Sequence, residues 1–128
     1  MPMSESQIAI CLIALLHMFF MIGELLPWGG PKIMGLVISK WPRVLDLSTN
    51  DRHFAAMIVH NAGVYNGIVA AGLLSAAWVG SSAYCIQVTL LAGGIVAGLF
   101  GFATLSKATI VQAIFGAIAL AVVIYFHV

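Results

Sequence analysis

The chain of 128 residues is 62% hydrophobic and only 7% charged, and its formal net charge is +1. A soluble domain usually has charged side chains at about a quarter of its positions, so this composition excludes an ordinary soluble fold, and the small net charge gives no sign of nucleic-acid binding. No Asp, Glu, Lys or Arg occurs from Phe54 to Ser106, whereas one membrane-spanning helix needs about 20 apolar residues. We therefore predict an integral membrane protein.

Four membrane-spanning segments are predicted, over residues 7–27, 54–79, 83–106 and 108–127. Four spans cannot close a β-barrel, and backbone polar groups must be satisfied internally in lipid, so the spans are expected to be helices. The residues before the first span contain no Lys or Arg, which favours a retained helix over a cleaved signal peptide. The predicted fold class is all-α, a four-helix transmembrane bundle that forms a single membrane domain over residues 1–128.

The basic residues predict the orientation of the bundle. They all lie in the two connections expected on one side of the membrane, with Lys32, Lys40, Arg43 and Arg52 in the 28–53 connector and Lys107 between the last two spans. Because basic residues are concentrated in cytoplasmic loops, this side is predicted to be cytoplasmic and both termini extracytoplasmic. The connector is expected to lie along the inner surface, either as a plain solvated link or as a docking surface for lipid headgroups or a partner.

Small residues recur at intervals of four along the later spans. The positions predicted to pack helices together are Gly63, Gly67, Ala71, Gly94, Gly98, Ala113 and Ala117. Such ridges let backbones approach closely, which drives much of helix association in lipid. The expected surroundings are the lipid bilayer, and we leave open whether one ridge contacts a second copy of the chain or a larger membrane complex.

The first span contains two polar residues, His17 and Glu24, in an otherwise apolar run. They are seven positions apart, which places them on the same helical face. An acidic side chain at the centre of a membrane helix costs about 2.5–3.5 kcal/mol on insertion scales. We therefore expect either a polar partner for Glu24 or a protonated Glu24. The candidate partners on the second span are His60, Asn61, Tyr65 and Asn66.

Three interpretations of this polar cluster stay open. The first is a hydrogen-bond network that fixes helix register. The second is a pocket for a quinone- or lipid-like ligand, or a proton path. The third, which has the least support, is a metal site formed by His17, Glu24 and His60. Imidazole and carboxylate suit iron, copper or zinc, but no local His/Glu ligand pair supports a metal. Nothing resembles a catalytic nucleophile, so an enzyme is least favoured, and no cofactor is indicated. Cys11 and Cys85 either form a disulfide or, as we favour, pack as small apolar residues.

The stretches HMFFMIGE and NAGVYNGIVAAGL resemble a small bacterial membrane-protein family catalogued as domain of unknown function 1304. Its pattern of His, Glu and Trp corresponds to His17, Glu24 and Trp28, its Asn-x-Gly-x-Tyr-Asn-Gly run to residues 61–67, and its later Gly-rich stretch to VAGLFG followed by Thr104. Ala62 stands where the family pattern suggests Gln, His60 stands where it suggests a small apolar residue, and the connector is longer than usual.

The resemblance implies a multi-pass, four-helix protein of the bacterial inner membrane, and it implies no activity. We therefore expect a small binding or accessory subunit with a polar cluster inside the membrane. A transport protein for a ligand or for protons is one alternative, and a metal-dependent membrane enzyme is another.

Overall fold

The computed structural model describes residues 2–26 and 48–127, which form α-helices and short 3-10 turns without any strand. The helices are α1 (Glu5–Leu25), α2 (Thr49–Val79), α3 (Tyr84–Thr104) and α4 (Ile110–His127), and 3-10 turns span Gly80–Ala83 and Lys107–Thr109. The predicted all-α fold class is confirmed over this part of the chain. Most of the predicted interfacial connector, from residue 28 to residue 47, lies outside the described residues.

Local hydrogen bonds and a proline explain the limits of α1. The Ser4 hydroxyl accepts a hydrogen bond from the backbone N–H of Gln7, and the Gln7 side chain accepts one from the backbone N–H of Ser4, which makes a capping box. At the other end Leu26 has an extended backbone, with φ −61° and ψ 146°. Leu26 precedes Pro27, and a residue before proline is disfavoured in the helical region.

Helix α2 begins at Thr49, five residues before the start of the predicted membrane span at residue 54. The Ser48 hydroxyl accepts a hydrogen bond from the backbone N–H of Asp51 at 3.2 Å and thereby caps the helix. The first turn of α2 is polar, and a search for apolar spans detects only where the hydrophobic part of a helix begins. The capping residues therefore extend the helix beyond its apolar segment.

The chain reverses direction between α2 and α3. Gly80 has φ +75°, a conformation that residues with a Cβ atom rarely adopt. Beyond the turn, a Cβ atom built on Gly72 would lie 3.1 Å from Cδ1 of Leu90, so the two helices lie side by side as an antiparallel pair. A second reversal, between α3 and α4, brings Thr109 against Gly101.

The helices form a ring in which α1 contacts α2 and α4, and α3 contacts α4 and α2. The interface between α1 and α2 is the most extensive of these, and the interface between α2 and α3 is the least extensive. Ser4, Ser81 and His127 line one pocket, so both described ends of the chain and the Gly80–Ala83 turn share one end of the bundle. We call this half of the bundle the terminal half.

Apolar side chains fill the terminal half, and others cover the outside of the bundle. The buried core cluster consists of Ile10, Ile13, Ala14, Leu73, Ala77, Leu91, Ala119 and Val123. On the outer surface, Phe19 is 72% exposed, Trp78 is 91% exposed and Phe100 is 69% exposed. A soluble protein rarely exposes apolar surface so extensively, whereas lipid solvates it.

By length and composition, the helical stretches Glu5–Leu25, His53–Thr104 and Lys107–His127 could each cross a membrane. The middle stretch contains the Gly80–Ala83 turn, at which its two helices fold back on each other. The described chain is therefore built of helices that fit a bilayer.

Candidate intramembrane binding site

His17 and Glu24 of α1 both face the inside of the bundle. His17 is 2% exposed and Glu24 is 8% exposed, although both side chains are polar. Their seven-residue spacing places them two turns apart on the face that packs against α2. A buried ionisable side chain in a membrane helix normally has a polar partner, and here one residue of α2 is the partner of both.

Asn66 bridges His17 and Glu24. Its Oδ1 atom lies 2.7 Å from Nδ1 of His17, and its Nδ2 atom donates a hydrogen bond to Oε2 of Glu24 at 2.7 Å. The three side chains form a continuous chain of hydrogen bonds, which we call the relay. In a medium without water, such a chain is strongly favoured over leaving any of its members without a bond.

Two glycines of α2 allow the close approach that the relay requires. A Cβ atom on Gly63 would lie 3.1 Å from Cβ of Glu24, and one on Gly67 would lie 2.7 Å from Sδ of Met21. Both positions face α1 and flank Asn66 along the helix. A Cβ atom at Gly67 would require the side chain of Met21 to move.

The second ring nitrogen of His17 has no hydrogen-bond partner among the described residues. A Cβ atom on Gly94 of α3 would lie 3.2 Å from this Nε2 atom. Close by, the side chain of Gln112 donates a hydrogen bond to the backbone oxygen of Gly94 at 3.2 Å. The relay therefore ends at a buried nitrogen that no described protein group satisfies.

The relay forms part of the wall of a cavity of about 350 Å³. The cavity is lined by His17 and Glu24 of α1, by Ala62, Tyr65, Asn66 and Val69 of α2, by Thr89, Leu90, Gly93, Gly94, Ala97 and Gly101 of α3, and by Leu105, Thr109 and Gln112 beyond it. The wall contributed by α3 consists largely of small residues. The cavity wall is therefore mainly apolar and includes a few polar groups.

The other residues predicted for the cluster lie at its edge or outside it. Tyr65 lines the cavity but is 62% exposed. Asn61 is exposed and does not line the cavity, and His60 is half-buried with its Nε2 atom lacking a partner among the described residues. Within residues 2–26 and 48–127, no three His, Cys, Asp or Glu side chains could hold a metal, so His17, Glu24 and His60 do not form the suggested site.

The positions predicted to pack helices divide into two groups. Gly98 fits tightly against α4, because a Cβ atom there would lie 2.7 Å from the backbone nitrogen of Ala113. Ala71 and Ala117 are exposed, so they do not pack between the described helices. Cys11 and Cys85 are both free, which leaves the suggested disulfide unformed.

Sequence reasoning missed the wall of the cavity on α3. Gly93, Ala97 and Gly101 recur every four residues beside Gly94 and Gly98, and only Gly94 and Gly98 of this helix were predicted as packing positions. Two adjacent rows of small residues on one helix were the available signal. In the second row, Gly93 has open space beside it, whereas Gly101 is packed against Thr109.

Comparison with known proteins identifies the family of this membrane protein. The family model described as Protein of unknown function (DUF1304) matches residues 11–124. The chain belongs to this family, as the histidine, glutamate and Asn-Gly motifs suggested. No curated protein and no solved structure matches the chain.

Proposed function

We propose that this protein binds a small lipid-soluble, amphipathic molecule in the cavity beside the relay. The observation that carries this proposal is a partly open cavity of about 350 Å³ with a hydrogen-bonded chain of polar side chains on one wall. Pockets also lie in the terminal half, but the Gln7 amide that lines them donates to the backbone oxygen of Ala77. The relay differs because it ends at a buried nitrogen without a partner among the described residues.

The size and lining of the cavity suit a ligand of this class. Ligand pockets usually measure about 300–1,000 Å³ and combine an apolar lining with a few polar groups that fix orientation. Here Leu90, Val69 and Ala97 supply apolar surface, and the relay supplies the polar groups. A molecule with one polar end and a hydrocarbon body would satisfy both parts of the wall.

We place the entrance between α2 and α3, in the plane of the membrane. These helices have the least extensive interface of the ring, and Leu90 of α3 packs against Gly72 of α2. Away from the turn, Tyr65 of α2 and Ala97 of α3 both line the cavity and are both exposed. A ligand dissolved in the bilayer would therefore enter laterally, between α2 and α3.

We further propose four membrane crossings in a bacterial inner membrane, with both termini extracytoplasmic. The shared end of Ser4, Ser81 and His127 supports a common side for the termini, and the basic residue Lys107 lies in the turn at the opposite end. A C-terminal fusion to alkaline phosphatase should be active and a C-terminal fusion to green fluorescent protein should be dark. The reverse result would overturn the orientation.

Native mass spectrometry of the gently solubilised protein, with metal analysis of the same sample, tests the binding function. We expect a small molecule that is retained by the wild type and lost in Ala97→Leu, which fills the cavity. The matched variant Ala117→Leu should retain it, because Ala117 is exposed outside the cavity. A wild type that carries a larger protein partner and no small molecule would contradict the proposal and favour an accessory subunit.

A further inference from the structure

We infer that His17 offers a hydrogen-bond acceptor to the cavity through Nε2, so that the ligand is a neutral lipid-soluble molecule with a hydroxyl group. A long-chain alcohol, a phenol or a quinol belongs to this class, whereas an ether or a quinone, which has acceptors only, does not. This inference rests on the proposed binding function and names the polar end of its ligand.

The direction of the relay determines which His17 nitrogen carries the proton. The Nδ2 atom of Asn66 donates to Glu24, so the Oδ1 atom of the same amide faces Nδ1 of His17. An amide oxygen can only accept a hydrogen bond, and therefore Nδ1 must donate and carry the hydrogen. In a neutral imidazole the other nitrogen, Nε2, then has a bare lone pair.

Two independent features keep this lone pair available. The Nε2 atom is buried and has no partner among the described residues, although buried polar atoms are nearly always bonded. In addition, the residue facing it on α3 is Gly94, and a Cβ atom there would lie 3.2 Å from Nε2. His17, Gly94 and Gln112 all line the cavity, and because Nε2 is buried in the free protein, a ligand must displace a neighbouring group to reach it.

Four side chains with donors that line the cavity already donate to protein groups. The hydroxyl of Thr89 donates to the backbone oxygen of Cys85, and the hydroxyl of Thr109 donates to that of Ser106. The amide nitrogens of Asn66 and Gln112 donate to Glu24 and to Gly94. A ligand that brings its own donor would therefore complete the wall, and a ligand with acceptors only would leave Nε2 without a bond.

A matched pair of probes tests the inference on the full chain in lipid nanodiscs. Equilibrium binding of 4-octylphenol is compared with that of 4-octylanisole, its methyl ether, after subtraction of empty nanodiscs. We expect the phenol to bind about 3- to 10-fold more tightly, the effect of one neutral hydrogen bond. The preference should disappear in His17→Phe and in Gly94→Ala. It should persist in Gly23→Ala, because Gly23 has no described atom within 4 Å of the added Cβ and does not line the cavity.

The outcomes separate the inference from the function on which it rests. Equal binding of the two probes, or tighter binding of the anisole, would overturn the hydroxyl class and leave the binding function standing. Absence of binding by both probes would overturn both.

Nitrogen NMR of the wild type gives a second test that needs no variant to fold. We expect a protonated Nδ1 and a bare Nε2 on His17 in the free protein, and a shift of the Nε2 signal when 4-octylphenol is added. A protonated Nε2 in the free protein would overturn the inference, and so would an Nε2 already bonded to Gln112 and unaffected by the phenol.

Discussion

The two halves of the bundle use buried amide side chains in different ways. In the terminal half, Gln7 donates to the backbone oxygen of Ala77 at 2.9 Å. Gln87 donates to the backbone oxygens of Ala76 and Gly80 at 3.0 and 2.8 Å. Each amide there binds main-chain oxygens next to a helix end or a turn, although both amides also line a pocket at that end of the bundle.

In the other half, the amide of Asn66 joins two ionisable side chains instead. The space beside it is open, and the relay ends at a nitrogen without a partner among the described residues. This difference shows that burial of a polar group does not by itself indicate a ligand-binding site. A polar group that completes a backbone hydrogen bond fixes register, and one that ends beside a cavity is available to a ligand.

The largest effect is expected for Asn66→Leu, which removes the partner of two buried side chains at once. Leaving a buried polar group unsatisfied costs about 1–3 kcal/mol, and more for a charged one. We therefore expect the free energy of unfolding in detergent to fall by about 2–5 kcal/mol, as measured by circular dichroism against denaturant. A change near zero would mean that the relay contributes nothing to the fold.

The next effect concerns the tight contact between α3 and α4. In Gly98→Ala, the added Cβ atom would meet the backbone of Ala113 and Thr109, which cannot rotate away. Overpacking of this kind costs about 1–3 kcal/mol, so the midpoint of thermal unfolding should fall. The control Gly23→Ala has open space among the described atoms and should be as stable as the wild type or slightly more stable. Equal behaviour of the two variants would contradict the packing.

A smaller effect is expected for Gln87→Leu in the terminal half. The variant removes two hydrogen bonds to backbone oxygens, and hydrogen bonds between membrane helices average about 0.6 kcal/mol each. We expect a loss of about 1 kcal/mol in the free energy of unfolding and unchanged ligand retention in native mass spectrometry. Loss of the ligand in this variant would break the contrast between the two halves.

The smallest effect is expected for Asn61→Leu, the matched control for Asn66→Leu. Both asparagines lie on α2, but Asn61 is exposed and does not line the cavity. The free energy of unfolding should change by less than about 0.5 kcal/mol, as for other surface substitutions. A loss comparable to that of Asn66→Leu would place Asn61 in the cluster, as the sequence alone suggested.

Much of the site could be predicted from the sequence, and the residues that were assigned wrongly share one cause. His17 and Glu24 could be assigned to one face because helical spacing is fixed, and an intramembrane carboxylate calls for a partner. Asn61 and Asn66 are the same residue type and lie close in sequence, so only the rotation of α2 against α1 separates the half-buried Asn66 from the exposed Asn61. That rotation depends on Gly63 and Gly67 contacting α1.

The sequence by itself determined the all-α class, the approximate limits of the helices, the family and the presence of a polar face on α1. These properties depend on local chemistry, namely apolar length, capping residues and helical periodicity. Only the tertiary structure decided that Asn66 bridges His17 and Glu24, that Gly94 faces Nε2 of His17, and that small residues of α3 border a cavity. Those facts depend on how the four described helices are rotated and spaced, which is a balance of many small packing contacts between residues far apart in the chain.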